Sequence, residues 1–408
     1  MLKIKNKIKK IIIIFIIIVF TIAFNSSYRA INLSNIAIVV AMAIDTSENN
    51  NLKVTFQFTP ASSVSETGST EKAESIINTI NASSISSAIN LMNSYIGKEL
   101  SLSHCKLIVF SEELATQGIS DEIFTLMNDN QIRPSTNIVI SKCSAKYYIE
   151  NSKPLLEPLI TKYYEVYNNS SQYTGFTTDA TIGEFFNHLN CKNCEPYAIL
   201  GGINSEQNDT DTSINSQKDS AIKANDSSVT GDLRSENTGL AVFKDDKLVG
   251  ELTAIENLSF LCTRNEIDGF LISVPDPTDD SKYIDIYLTP AKNCKIKVNI
   301  INGSPYIKVD YQFTGRIYSM TETSDYLSNT NLSAISESCN KYLKSVFTNY
   351  LYKTSKDLNS DINGFGEHSL NNFFTLEESN EYNWKENYKN SFFDVTVDTN
   401  VKSGFLLM

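Results

Sequence analysis

The chain has 408 residues, a net charge of −12 and seven cysteines. Five of its 35 basic residues are lysines near the start, which leaves 30 basic against 47 acidic residues beyond them. A body at −17 repels phosphate backbones and argues against nucleic acid as a partner, while an odd number of scattered cysteines argues against a disulfide-built scaffold.

Lys3, Lys5, Lys7, Lys9 and Lys10 precede an apolar run from Ile11 to Phe24. A basic stretch followed by an apolar core is the pattern of a secretory signal. Lysines resist translocation, so everything after Phe24 is expected outside the cytoplasm. As a helix the run covers about 21 Å, short of a bilayer core of ~30 Å. Segment 1–24 is thus either a signal peptide or a signal anchor.

IAIVVAMAI (36–44), a polar turn and LKVTFQFTP (52–60) read as an antiparallel hairpin. Its first strand is expected to be buried on both faces and its second on one. Residues 62–70 form a polar loop. Ile85, Ala88, Ile89, Met92, Tyr95 and Ile96 then follow helical spacing, with Ser84 as N-cap and Gly97 as stop. CKLIVFS (105–111) is a short strand, 121–128 a helix and 137–142 another strand. Helical pieces are expected at 145–150 and 155–167, a further helix at 182–189 and a closing strand at 197–203. Strands alternating with helices after an opening hairpin imply a mixed sheet covered by helices.

Residues 204–237 lack aromatic side chains and sustained apolar periodicity, and are rich in Ser, Asn and Asp. They read as a polar linker or loop. It divides the body into an N-terminal domain at 25–203, which could itself comprise two subdomains, and a C-terminal domain at 238–408. The second part opens with two short strands around Asp245-Asp246 (238–252) and a helix whose Thr253 and Glu256 form a capping-box signature. Strands are expected at 269–274, 283–289, 294–301 and 306–318, the last two joined by the hairpin signal Asn302-Gly303. Leu332, Ile335, Cys339, Tyr342, Leu343, Val346, Phe347, Tyr350 and Leu351 make one apolar stripe, which must pack along a sheet face. Alternating Phe393, Val395 and Val397 mark a final strand within 392–405. The class is α+β, multi-domain, with mixed β-sheets packed against helices.

Few residues suggest chemistry. Cys191 and Cys194 form a CxxC that supplies two ligands where zinc needs four. It follows a helix, whereas a redox pair opens one. A loop with incidental thiols is favoured over a local disulfide, and both over metal or redox work. The other cysteines read as small buried hydrophobes. His104 beside Cys105 gains nothing from adjacency in a strand, where neighbours point to opposite faces. His188 late in a helix suits the dipole as a cation, and His368 lies in a Gly-rich stretch. All three histidines read as structural. Asp209, Asp211 and Ser213 mimic a calcium loop, but Ile214 and Ser220 occupy its obligatory Gly and Glu positions. Glu112-Glu113 and Asp279-Asp280 read as solvated turns. HExxH, GxSxG and P-loop patterns are missing. No catalytic, cofactor-binding or metal residue is assigned, the protein is not expected to be an enzyme, and an exported hydrolase is disfavoured.

Five blocks stand in order: NIAIVVAMAID (35–45), ELSLSHCKLIVFSEELATQGI (99–119), NDNQIRPSTNIVISK (128–142), GLAVFKDDKLVGELT (239–253), and SDINGFGEHSLNNFF (360–374) with Trp384 and the last strand. Together they resemble the GerAC-type (Ger(x)C) C subunits of spore germinant receptors. The resemblance implies a protein tethered to the outer face of the inner spore membrane. Its implied partners are two integral-membrane receptor subunits, of A-type and B-type, which together sense small germinants. It implies neither catalytic residues nor cofactors. The family's lipid-modified Cys corresponds to Ser27, and no Cys precedes Cys105, so thioether lipidation has no acceptor here.

Ala23 and Asn25 make a poor small-x-small cleavage site. The leader is therefore expected to stay as an N-in signal anchor, extended by snorkelling at Lys9–Lys10 and by Tyr28 at the outer interface. The function expected is that of a non-catalytic receptor subunit coupling germinant sensing to germination. The alternative is an extracytoplasmic solute-binding protein that captures the germinant in a pocket between the two halves, flanking 204–237.

Overall fold

The computed structural model describes residues 12–17, 19–20, 35–59, 75–204, 221–226, 229, 231–320 and 329–402. Most of the leader, Ser27, the 62–70 loop and the calcium-like Asp209, Asp211 and Ser213 lie outside the described residues. Among those described, no helix is long and apolar enough to cross a membrane.

Strands β1 (Ile36–Thr46) and β2 (Leu52–Thr59) form the expected antiparallel hairpin, with Ile44 opposite Val54. β1 is buried on both faces along its centre because it lies mid-sheet. Single-faced burial of β2 is not observed. Thr55, Gln57 and Thr59 are buried too, since Thr55 Oγ1 meets Thr79 Oγ1 at 2.9 Å and Gln57 Oε1 accepts from Tyr164 Oη at 2.9 Å. Satisfied polar side chains bury at little cost. The partner strand, β3 (Ile76–Ala82), had no sequence reading of its own.

Helix α1 (Ile85–Ile96) is capped by the Ser84 side chain and stopped by Gly97 at φ 64°. It leads through β4 (Glu99–Ser101) to β5 (Leu107–Ser111). Next come α2 (Glu112–Gln117), α3 (Ser120–Asn128), β6 (Asn137–Ser141) and α4 (Ala145–Asn151). Of the helical piece at 155–167, only α5 (Ile160–Glu165) is regular α-helix. Pro154 and Pro158, which lack an N–H, hold the approach to it irregular. Helix α6 (Ile182–Leu189), with a complete Thr181–Glu184 capping box, precedes β7 (Tyr197–Ile203). Strands β1, β5, β6 and β7 run parallel, and their apolar runs are what burial on both sheet faces requires. Helices α2 and α4 pack on them.

β7 does not close the sheet. β8 (Ser235–Lys244) pairs with it antiparallel, Tyr197 opposite Val242 and Ile203 opposite Ser235, and β9 (Lys247–Leu252) follows. The nine-stranded sheet runs β3-β2-β1-β5-β6-β7-β8-β9, with β4 beside the start of β1. It therefore includes strands from both sides of the polar stretch 204–237. Part of that stretch is held to the body: Ala224 is buried, its N–H donates to Thr238 O, and Ile222 O accepts from Ala254 N.

Helix α7 (Ala254–Arg264), opened by the Thr253–Glu256 capping box, links this sheet to the second. Its Phe260 ring lies 4.8 Å from Tyr197, and Thr263 Oγ1 is 2.7 Å from Tyr311 Oη. The second sheet orders β10 (Phe270–Asp276), β11 (Asp279–Ile301), β12 (Ser304–Met320) and β13 (Phe392–Lys402). The two strands expected at 283–289 and 294–301 are one, whose pairing shifts register between Asp285 and Ile286 and again between Pro290 and Lys295. Asn302 (φ 50°) and Gly303 (φ 80°) turn it into β12 as the dipeptide demands. Helix α8 (Asn329–Tyr352) buries its stripe against β13 and β10. The buried apolar residues of both sheets form one continuous core.

Candidate functional site

The two sheets meet at a polar seam built around DINGFGE (361–367). Asp361 is 1% exposed. Its Oδ1 accepts the Phe365 N–H at 3.1 Å, and its Oδ2 accepts Gly366 N–H and Trp384 Nε1–H, both at 2.8 Å. Burial pushes this carboxyl up to about 7 against those hydrogen bonds, and nearby Glu195 adds to the rise. Gly364 turns the chain at φ 73° into the short helix α9 (Phe365–Ser369). Gly366 is required by close approach, because a Cβ there would strike Asn193 O and the Trp384 ring.

From the first sheet, Glu195 N donates to Asp361 O at 3.0 Å, and Phe243 O accepts from Ser360 Oγ at 2.5 Å. Glu195 Oε2 accepts Lys385 Nζ at 3.0 Å and Asp245 N at 2.8 Å, while Lys385 also reaches Asp245 Oδ1 at 2.9 Å. Burial raises the Glu195 carboxyl, and Lys385 opposes that rise. The β8–β9 turn, the loop before β7 and the 360–385 segment are thus tied by charge-assisted bonds. The arrangement presents no nucleophile–base pair.

A second concave region of about 710 Å³ lies at the carboxyl ends of β1, β5 and β6, lined by Asp45, Ser111, Glu112, Lys142 and Ser144 among others. Ligands of open α/β sheets bind at such ends. Asp45 accepts Ala145 N at 2.7 Å and Lys146 N at 3.0 Å, with its carboxyl raised by burial. Lys142 contacts Glu112 at 3.2 Å and Glu251 at 2.5 Å, and Lys223 contacts Glu251 at 2.7 Å. Burial opposes the Glu251 charge, but the two lysines outweigh it and hold the carboxyl below its usual value. This cleft and three others of 380–1000 Å³ are lined by residues between 45 and 160, and through Glu251 the Lys142 wall of the first is linked to Lys223 of the 204–237 stretch.

Cys191 and Cys194 are joined as a disulfide, not left as incidental thiols. The loop between helix and strand brings their Cα atoms to 5.5 Å, within bridging range. His188 is not a cation at a helix end. Burial, and secondarily Arg264, lowers its imidazole to about 4. His104 is also lowered, by burial and then by Arg133 and Lys106. His368 is exposed on α9. Cys105 is buried and its thiol is pushed up to about 12. Glu112 and Glu113 are not a turn: they open α2. Asp279 begins β11, 3.7 Å from Lys282. Sequence reasoning gave no role to Asp361, Glu195, Lys385, Lys142 or Glu251. The available signals were an acidic residue wedged between Cys194 and Pro196, and the chain's single tryptophan following the DINGFGE block.

Residues 29–200 match the family described as spore germination protein N-terminal domain, and residues 238–404 match spore germination B3/GerAC like, C-terminal. The second matched region begins at residue 238, within β8, so the β8–β9 hairpin at its start completes the sheet of the first. The crystal structure of the GerBC protein superposes with a TM-score of 0.52 over 88% of this chain and 96% of that one, at 17% identity, a likeness of fold. Among curated proteins, no significant match was found. The chain belongs to the GerAC family and is a GerAC-type germinant receptor C subunit of spore germination.

Proposed function

We propose that this protein is the non-catalytic, membrane-tethered subunit that couples germinant sensing by two integral-membrane partners, of A-type and B-type, to germination. The observation that carries the reading is the seam. Asp361 O accepts from Glu195 N, Lys385 bonds both Glu195 and Asp245, and Ser360 donates to Phe243 O, so the 360–385 segment is tied to the loop before β7 and to the β8–β9 hairpin of the first sheet. A body knitted in this way moves as a unit and suits a coupler better than a hinged capture domain. Its place is the outer face of the inner spore membrane, held by the uncleaved 1–24 leader, since Ser27 offers no thiol for lipid.

Co-purification of the full chain with both membrane subunits after mild detergent extraction tests this. Recovery as a free, partnerless monomer opposes it. Mass spectrometry of the membrane-bound N-terminus tests the tether, and a mature chain starting near Ser27 would exclude an uncleaved leader.

The second reading, direct capture of the germinant, is favoured only by the cleft at Asp45, Ser111 and Lys142. Calorimetry of the full chain in detergent against amino acids, sugars and nucleosides separates the two. Silence across the panel supports the coupler.

A further inference from the structure

Between α6 and β7 the chain turns within the Cys191–Cys194 loop, and this loop is held by the other family domain. Asn193 O lies against Gly366, Lys192 Nζ donates to Asn380 Oδ1 at 3.3 Å, and Glu195 N donates to Asp361 O. Cys194 is 4% exposed and Cys191 is half-buried. Glu367, exposed and next to Gly366, brings a carboxylate oxygen to the pair. That oxygen and both Sγ atoms lie within 4.8 Å of one another.

A disulfide carries no charge and no donor, so it gives the Glu367 carboxylate nothing to bind. Two thiolates beside a carboxylate would repel one another unless a cation stood between them. Three donors of this type suit a soft or borderline divalent cation. Zinc takes thiolate at about 2.3 Å and carboxylate at about 2.0–2.2 Å, which sets tetrahedral ligands roughly 3.5–3.8 Å apart. Parting the two sulfurs, with the exposed Glu367 side chain adjusting within the 4.8 Å envelope, reaches that spacing.

We propose that Cys191, Cys194 and Glu367 form a redox-gated site for a thiophilic divalent cation of the zinc class, bridging the two family domains. The gating step consumes a dithiol reductant. One of its thiolates attacks a protein sulfur, expels the other cysteine as thiolate and forms a mixed disulfide. Its second thiol resolves that bond, leaving a cyclic disulfide on the reductant and two protein thiols, a transfer of two electrons. Cation binding then displaces both thiol protons, so affinity falls on acidification. Two sulfurs from one domain and one oxygen from the other leave a fourth position to water, as in zinc sites that are not closed. In the disulfide state the clamp is open. In the dithiol state the metal closes it.

The test is a cobalt(II) titration of the full-length chain in detergent, reduced by a dithiol that is then removed without oxygen. Expected is one cobalt per chain with a thiolate-to-cobalt charge-transfer band, displaced by zinc and absent from the oxidised protein. Glu367→Gln, at an exposed position, should weaken binding by on the order of tenfold or more while the fold is retained. Cys191→Ser should abolish the band. No band in the reduced protein, an unchanged affinity in Glu367→Gln, or a band surviving in Cys191→Ser/Cys194→Ser would each overturn the site. The result is independent of whether the chain couples subunits or captures a solute.

Discussion

Trp384 donates its indole N–H to Asp361 Oδ2 at 2.8 Å, and both residues are 1% exposed. The bond ties the segment after α10 (Leu376–Tyr382) to the DINGFGE turn, which itself docks on the first sheet. Trp384→Phe keeps most of the ring volume and removes the donor. It should cost about 1–3 kcal/mol, the range for leaving a buried acceptor short of a partner. Trp384→Ala adds a cavity and should cost about 3–5 kcal/mol. Urea unfolding midpoints measure both, and a neutral Trp384→Phe would show that Asp361 does not depend on the indole.

Asp361 makes stability depend on pH in an unusual direction for a carboxylate. Its folded pKa is about 7 against an ordinary 3.8. Between those values the folded chain keeps a proton that the unfolded chain has lost. This contribution is full below the unfolded value, falls as pH rises toward 7 and is spent above it. Asp361→Asn should remove that slope. Comparing unfolding midpoints of the two proteins across this window checks it; parallel pH profiles would refute it.

His188 works with the opposite sign. Its folded pKa of about 4 lies below the ordinary 6.5, so the unfolded chain binds the extra proton in between. Its contribution is full above 6.5 and is lost as pH falls toward 4. His188→Gln should therefore flatten the acid side of the stability profile. In the native protein the His188 ring signals should not shift between about pH 5 and 7 by NMR, whereas an ordinary imidazole titrates there.

Glu195 is 1% exposed on its side chain and Lys385 15%. Lys385→Met leaves the carboxylate buried beside Asp245 without its cation and should cost about 3–5 kcal/mol. Glu195→Gln/Lys385→Met removes the charge along with its partner and should regain most of that loss. A double-mutant cycle reads the coupling directly. Equal destabilisation of the single and double variants would mean that the pair contributes shape and no electrostatics.

What could be read in the sequence divides along a physical line. β1, β5, β6 and β7 announce themselves because central strands need apolar residues on both faces, and α8 because its stripe is long. Ser84, Gly97, Thr253 with Glu256, and Asn302-Gly303 set local boundaries by chemistry that needs no distant partner. β3, with the sequence IINTINA, was hidden because its polar residues are satisfied across the sheet, as Thr79 is by Thr55. The seam was hidden for a related reason. Lys385 and Glu195 are 190 residues apart, and the local signal at Glu195, an acid between Cys194 and Pro196, does not point to its partner. The Cys191–Cys194 spacing was visible, but Glu367 beside it belongs to another part of the chain.

Glu251 provides the last check, because it gathers three separated segments. It lies on β9 and receives Lys142 from the end of β6 and Lys223 from the part of the polar stretch that is held to the body. Its carboxyl is below the usual value, so the stability it contributes is present above the unfolded pKa and lost as pH falls through the folded one. Glu251→Gln keeps the shape and removes the charge that both lysines share. A loss of about 1–3 kcal/mol is expected for hydrogen bonds to a charged group, tempered by the partial exposure of Lys223. The loss should be localised. Hydrogen exchange should quicken at the amides of Ala224 and Ala254, which bond Thr238 O and Ile222 O, while β11 and β12 keep their protection. Uniform quickening across both sheets would instead place Glu251 among the determinants of global stability and deny it the local role.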